Sequence, residues 1–318
     1  MPSSAVQNFT DPDEYAAAIR ATTADITLMG RGQFTATLIR IDLHRLWMQR
    51  HRENLPRILH SAAMTGRAFI TFRTQPGPSL LWRGLEVQPT NIVRHNEGQH
   101  AFQQSSGSTR YGAMSLPIED MASVVTEVAG RDLMPARDML ILTPSSSAMA
   151  KLQRLHAAAG QLAEDAPAVI ADPEAAHSLE QALIEAMIAG LGDGEIRDDR
   201  AALRQHALIM RRFRRAVEED PDGPVYIPEL CTEIGVSDRT LRACCQEQLG
   251  MSPKRYLLLR RMNLARRALR DSTPAGTTVT EIATCYGFWQ FGRFAGEYKS
   301  LFRRIAIQHA REPAQVAI

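Results

Sequence analysis

Leu230-Cys-Thr-Glu-Ile-Gly235-Val-Ser237-Asp-Arg-Thr-Leu241 and, 52 residues further on, Ile282-Ala-Thr-Cys-Tyr-Gly287-Phe-Trp289-Gln-Phe-Gly-Arg-Phe294 are two copies of one pattern. Each places a helical run before a glycine and a second helical run after it. A tight turn between two helices needs positive φ, which glycine adopts without a Cβ clash. Ser237 is placed to cap the second helix of the first unit. Thr278-Val-Thr-Glu281 opens the second unit as a capping box, in which hydroxyl and carboxylate satisfy orphan backbone amides. Between the copies, Ser252-Pro253 followed by Lys254 to Arg270 reads as one continuous helix, stopped by Asp271-Ser-Thr-Pro274. Its roughly 17 residues span about 26 Å. That is the right order to set two recognition helices about one duplex turn, roughly 34 Å, apart.

Charge is distributed to match. The formal net charge of the 318 residues is +2. From Leu203 onward, however, there are 19 Lys and Arg against 12 Asp and Glu, which leaves 18 against 23 in residues 1–202. A basic module beside an acidic one points to a polyanionic partner for the basic part. The helix between the repeats adds Lys254, Arg255, Arg260, Arg261, Arg266, Arg267 and Arg270, some of which must face solvent or phosphate.

Upstream the character differs. Phe34–Ile39, Arg67–Phe72 and Leu80–Val87 are alternating or β-branched runs separated by breakers such as Gln75-Pro-Gly-Pro-Ser79 and Ser105-Ser-Gly-Ser-Thr109. An antiparallel sandwich or barrel fits them better than a βαβ series. Asp11 to Ala21 reads as a short helix. Trp47, Phe69, Phe72 and Trp82 could be core or ligand contacts. After Thr143-Pro-Ser-Ser-Ser147 the chain turns helical, and Leu179, Leu183, Ile184, Met187, Ile188 and Leu191 form one apolar stripe. The stripe could pack on its own barrel or pair with a second subunit, and dimerisation is the expectation. Gly190-Leu-Gly-Asp-Gly194 ends that helix. The expected organisation is therefore a sensor domain over 1–143, a helical dimerisation region over 144–192, a linker over 193–202 and a DNA-binding domain over 203–318.

The C-terminal motifs, in order, resemble the DNA-binding domain of AraC/XylS-type regulators over roughly residues 205–302. The resemblance rests on Gly235-Val-Ser-Asp-Arg-Thr-Leu241, Leu249-Gly-Met-Ser-Pro-Lys-Arg-Tyr256, Arg261-Met-Asn-Leu-Ala-Arg-Arg-Ala-Leu269, Val279-Thr-Glu-Ile-Ala283, Gly287-Phe288 and Tyr298-Lys299. Asn54-Leu-Pro-Arg57, Leu81-Trp-Arg-Gly84 and Ser115-Leu-Pro117 resemble, more faintly, the cupin-type sensor often joined to it. The resemblance implies an all-α tandem helix-turn-helix domain behind a mainly β cupin-like barrel with flanking helices. It implies a homodimeric activator that binds double-stranded DNA near RNA polymerase and answers to a small-molecule effector, with no cofactor.

In the first unit, Ser237, Arg239, Thr240 and Arg242 are the candidate DNA-binding residues, because arginine can bind guanine in bidentate fashion. In the second, Gln290, Phe291, Arg293 and Lys299 are their counterparts, with Phe291 either touching a thymine methyl or buried. Lys254 and Arg255 are candidates for the linking helix. Ala243 and Gly296 stand where the family commonly places arginine, Trp289 replaces a small capping residue, and Arg303-Arg-Ile-Ala-Ile307 departs from the family's closing turn.

Two other functions compete. One is a non-specific architectural DNA binder. The other is a metal-dependent cupin enzyme, suggested only by His95-Asn-Glu-Gly-Gln-His100, which lacks a His-x-His core and reads more simply as loop surface. The sequence has no Gly-x-Ser-x-Gly elbow, P-loop or dinucleotide fingerprint. The four cysteines, Cys231, Cys244, Cys245 and Cys285, lack C-x-x-C spacing. With no leader pattern and no run of 18 apolar residues, a cytoplasmic protein with no membrane contact is expected.

Overall fold

Alternation along the strands decides the N-terminal architecture. The computed structural model describes residues 1–95, 97–98, 100–121, 140–192, 195–197, 201–219, 226–271 and 277–306. Its strands form two antiparallel sheets. The larger has the order β1 (Ser3–Phe9), β3 (Ala36–Asp42), β4 (Trp47–Glu53), β11 (Thr109–Pro117), β6 (Arg67–Arg73), β9 (Ile92–His95), β12 (Leu140–Thr143) and β13 (Glu195–Arg197). The smaller has the order β2 (Thr22–Leu28), β5 (Arg57–Ala63), β10 (His100–Ser105), β7 (Leu80–Trp82) and β8 (Leu85–Glu86). A closed barrel was the expectation. Among the described residues no ladder joins the sheets, so the barrel is open and the two sheets face each other. The expected strand over 80–87 is a hairpin instead, because Arg83 and Gly84 both take positive φ, 50° and 81°, as a tight primed turn requires.

The faces of the larger sheet divide by chemistry. Met48, Met114 and Ile70 stand opposite one another in register, as do Gly112 and Phe72, on the outward face. Against this face pack α2 (Ser146–Asp165), α3 (Pro167–Ala171) and α4 (Pro173–Gly192), forming an apolar core with Leu152, Ala159 and Ile170. Gln49, Thr71 and Ala113, with His51 and Tyr111, alternate onto the inward face. Gly112 leaves room for His156 of α2, whose ring a Cβ there would strike at 2.6 Å.

The apolar stripe of α4 lies inside this core. Leu183, Ile184, Met187, Ile188 and Leu191 are buried against the chain's own sheet, and Leu179 is packed beside them. Covering the sheet's outward face removes them from water within the single chain, the first of the two alternatives the stripe leaves open, and its part in dimerisation stays an expectation. Half of the expected linker over 193–202, residues 193–194 and 198–200, lies outside the described residues.

The C-terminal half is helical, with α5 (Ala201–Glu219), α6 (Ile227–Ile234), α7 (Asp238–Leu249), α8 (Pro253–Asp271), α9 (Val279–Cys285) and α10 (Phe291–Phe302). It packs on the smaller sheet. Ile58 and Phe102 share a core with Phe213, Leu241 and Tyr256, while Ile26, Leu28 and Leu59 share another with Leu259, Met262 and Tyr298.

If the α4 stripe is core, Leu183→Ala should lower stability by about 2–5 kcal/mol, the usual range for a buried leucine, while leaving the sedimentation coefficient of the folded protein unchanged. Dissociation into a smaller species at unchanged stability would return the stripe to an interface.

Candidate nucleic-acid interface

The first helix pair is built around Gly235. Its φ of 70° ends α6, and Val236 then bonds back to the Cys231 carbonyl at 3.0 Å. Ser237 Oγ accepts the Thr240 amide at 3.1 Å, capping α7, and lies 2.8 Å from the Thr240 hydroxyl. Leu241, Cys244 and Cys245 turn inward and are fully buried. Arg239 and Arg242 are consequently exposed, Arg242 in an ion pair with Asp238 at 2.8 Å. With both partners more than half exposed, such a pair contributes little and is free to exchange for another anion.

The second pair repeats the plan with a weaker cap. Gly287 takes a φ of 72°, and Phe288 bonds back to the Ala283 carbonyl at 2.9 Å. Thr278 and Glu281 form the expected capping box at the start of α9. The N-cap of α10, Gln290, makes no side-chain cap bond. Phe294, Tyr298 and Phe302 stack inward with ring centroids 5.4 and 4.7 Å apart. This leaves Gln290, Phe291, Arg293 and Lys299 exposed, Arg293 paired with Glu297 at 2.9 Å. Phe291 is 43% exposed and Trp289 73%, which places two aromatic rings at the open end of α10. Trp289, which stands two residues after Gly287 as Ser237 stands after Gly235, lies just before the N-cap and is not itself a cap.

The linking helix faces two ways. Lys254 and Arg255, in its first turn, are exposed. Arg255 lines an open cleft of about 340 Å³ between α8, α10 and the Met29–Arg31 loop. Further along, every third or fourth side chain meets the β domain. Asn263 bonds both backbone groups of Leu28, at 3.1 and 3.2 Å, on the edge strand β2. Arg266 is paired with Asp11 and Asp13, Arg267 with Asp13 and Asp25, and Arg270 with Asp11 and with Glu14 at 2.7 Å. These acids sit at the N-terminus of α1 (Pro12–Ala18) and on β2. Arg266, Arg267 and Arg270 thus serve domain docking rather than phosphate. Burial pushes the Asp11 carboxyl up, but Arg266 and Arg270 outweigh it and hold that carboxyl below the usual carboxylate range.

His95 and His100 do not converge. His95 is buried on the larger sheet with Thr71 Oγ1 2.9 Å away, and His100 lies exposed on the smaller. Among the described residues no cluster of three metal-ligating side chains occurs.

The family described as "Helix-turn-helix domain" matches residues 230–311, which run from within α6 through α10. The probable thc operon regulatory protein of Rhodococcus erythropolis is 38% identical over 124 residues, 38% of this chain and 37% of that one. The C-terminal third of this chain is thus similar in sequence to operon regulatory proteins. The XylDLEGF operon transcriptional activator of Pseudomonas putida is 30% identical to it over 101 residues, 32% of either chain. The similarity spans about a third of the length of these curated relatives. Among solved structures, a probable AraC family transcriptional regulator from Rhodopseudomonas palustris shares 30% identity over 33% of this chain and 98% of that chain, at a TM-score of 0.29. ToxT from Vibrio cholerae shares 11% identity over 92% of this chain and 98% of its own, at a TM-score of 0.30.

Removing one partner of a buried ion pair strands the other. Arg266→Met should therefore cost on the order of 3 kcal/mol at pH 7. Because the folded pKa of Asp11 lies below its unfolded value, its contribution holds above pH ~4 and is lost as pH falls further. Urea titrations of both proteins should show the gap narrowing in acid; equal stability at pH 7 would demote the cluster to surface charge.

Proposed function

We propose that the chain is a sequence-specific DNA-binding transcription regulator, acting as an activator. One observation carries the reading: both helix pairs bury one face of their second helix and present the other, Arg239 and Arg242 on α7 and Gln290, Phe291 and Arg293 on α10, to solvent. Side chains near a helix start reach base edges when that end enters the major groove. Arg239 and Arg242 can take guanine, and Phe291 a thymine methyl. Lys254, Arg255 and Lys299 supply phosphate contacts, which fix register without reading sequence. The relatives are a regulatory protein and a transcriptional activator by name, and RNA polymerase is the partner that the family resemblance implies. The β domain then acts as the sensor, with a small-molecule effector between its sheets. A homodimer remains part of this reading.

A purely architectural DNA binder is the second reading. It is favoured by Ala243 and Gly296, both exposed where the AraC/XylS family commonly carries arginine, and by the uncapped start of α10.

Selection of bound genomic fragments at about 150 mM salt separates the two. One motif with two half-elements about 10 base pairs apart is expected. It should vanish in an Arg239→Ala, Arg242→Ala double variant, each guanine contact contributing about 1–3 kcal/mol of discrimination. Fragments bound without preference by both proteins would favour the architectural reading.

A further inference from the structure

Between the two sheets, where a sandwich ordinarily buries apolar side chains alone, polar side chains share the walls of a cavity with apolar ones. A cavity there is bounded by Thr22, Leu59, Gln103 and Trp82 from the smaller sheet and by Gln49, His51, Phe69, Thr71 and Tyr111 from the larger. Three of its buried polar atoms have no hydrogen-bond partner: His51 Nε2, Trp82 Nε1 and Gln103 Oε1. Their residues are 1–3% exposed. Gln103 and Trp82 are direct cross-strand neighbours and share a face. A buried polar group left unpaired costs free energy, so three around one cavity mark a site completed by something else.

The chemistry of the three is determined. Tyr15 donates its hydroxyl proton to Glu53 Oε1 at 2.8 Å, so the His51 Nδ1 that lies 2.8 Å from the same hydroxyl must be the donor there. His51 Nε2 is then a lone-pair acceptor. Burial, with Arg57 and His156 nearby, holds the ring neutral, its pKa down at about 3. Gln103 Oε1 is a second acceptor and the Trp82 indole a donor. Several other polar groups on the walls are already engaged. Gln49 bonds the Arg20 backbone, Thr71 meets His95, and Ser115 accepts from Arg67. The one cation on the walls, Arg20, is paired with Asp42 at 2.5 Å.

We propose that this cavity binds a compact, uncharged ligand whose polar end offers two hydrogen-bond donors and one acceptor, the pattern of a primary carboxamide. Its two N–H groups meet His51 Nε2 and Gln103 Oε1, and its carbonyl accepts from Trp82. A carboxylate of the same size brings only acceptors and a charge, and finds two acceptors facing it. The cavity volume of about 30 Å³, where one water needs about 10–15 Å³, admits the three heavy atoms of a carboxamide head and little beyond it. This deepens the effector part of the proposed function and rests on that reading only for its consequence.

The indole N–H resonances of Trp47, Trp82 and Trp289 in the full-length protein, assigned by single Trp→Phe variants, read the site directly in the absence of DNA. Propionamide should move the Trp82 resonance downfield saturably and leave the other two in place; propionate at the same concentrations should move none. Gln103→Leu should weaken the propionamide midpoint about tenfold, with unmoved Trp47 and Trp289 signals reporting an intact fold. A Trp82 resonance that neither compound moves, as for a cavity filled by water alone, overturns the proposal, and so does an equal response to propionate. Either result leaves the DNA-binding reading to the fragment selection, whose failure would in turn leave the amide titration standing.

Discussion

Arg266, Arg267 and Arg270 on α8 are held by Asp11, Asp13, Glu14 and Asp25, and the placement of the C-terminal half depends on that cluster. Arg266 is nearly solvent-free, so its charge can exist there only because two carboxylates surround it. The same helix face carries Asn263, which bonds the end of edge strand β2 and shields it from strand addition. With α8 pinned along β2, α9 and α10 share a core with Ile26, Leu28 and Tyr15. The first helix pair is tied at the other side of the sheet, where Gln248 donates to the Arg83 carbonyl at 2.8 Å and Gly84 admits Glu247. Both recognition helices are thereby anchored to one sheet.

The β domain is organised by a division of labour across its larger sheet. A large apolar core lies outside the sandwich, under α2–α4, so the interior, where Leu80, Val93 and Ile141 form a smaller cluster, need not be apolar throughout. Polar residues can line the inner faces without unfolding the domain. Tyr15 connects this interior to the docking cluster: its ring is fully buried, its hydroxyl meets His51 and Glu53, and its helix carries Asp11, Asp13 and Glu14. Two side chains separate the cavity wall from the helix that positions the two helix pairs.

What was legible in the sequence was what is local. Gly235, Gly287, Ser237 and the Thr278–Glu281 box are read from short-range geometry, and all four take the conformations expected. The inward faces of α7 and α10 follow from helical period, which is why Arg239, Arg242 and Arg293 could be named and found exposed. What failed was long-range. The stripe from Leu179 to Leu191 announces an apolar partner but not which one. Arg266 and Arg267 look like Arg260 until Asp11 and Asp13, some 250 residues earlier, are brought beside them. The opposite charges of the two halves carry that signal together with attraction to a polyanion. Phe69 and Trp82, left open between core and ligand contact, line the cavity, whereas Phe72, one register step over, is core. A single step along a strand exchanges the two faces.

Hydrogen exchange of the full-length protein and an Asp11→Asn, Asp13→Asn variant tests the docking cluster most directly. Asparagine retains the N-cap of α1 while removing the charge that holds α8. The amides of α1, α8 and Leu28 should accelerate together, with α9 and α10 following and β4, β6 and β11 unchanged. Acceleration confined to α1, with α8 as protected as before, would contradict the ion pairs as the constraint on which the C-terminal half rests.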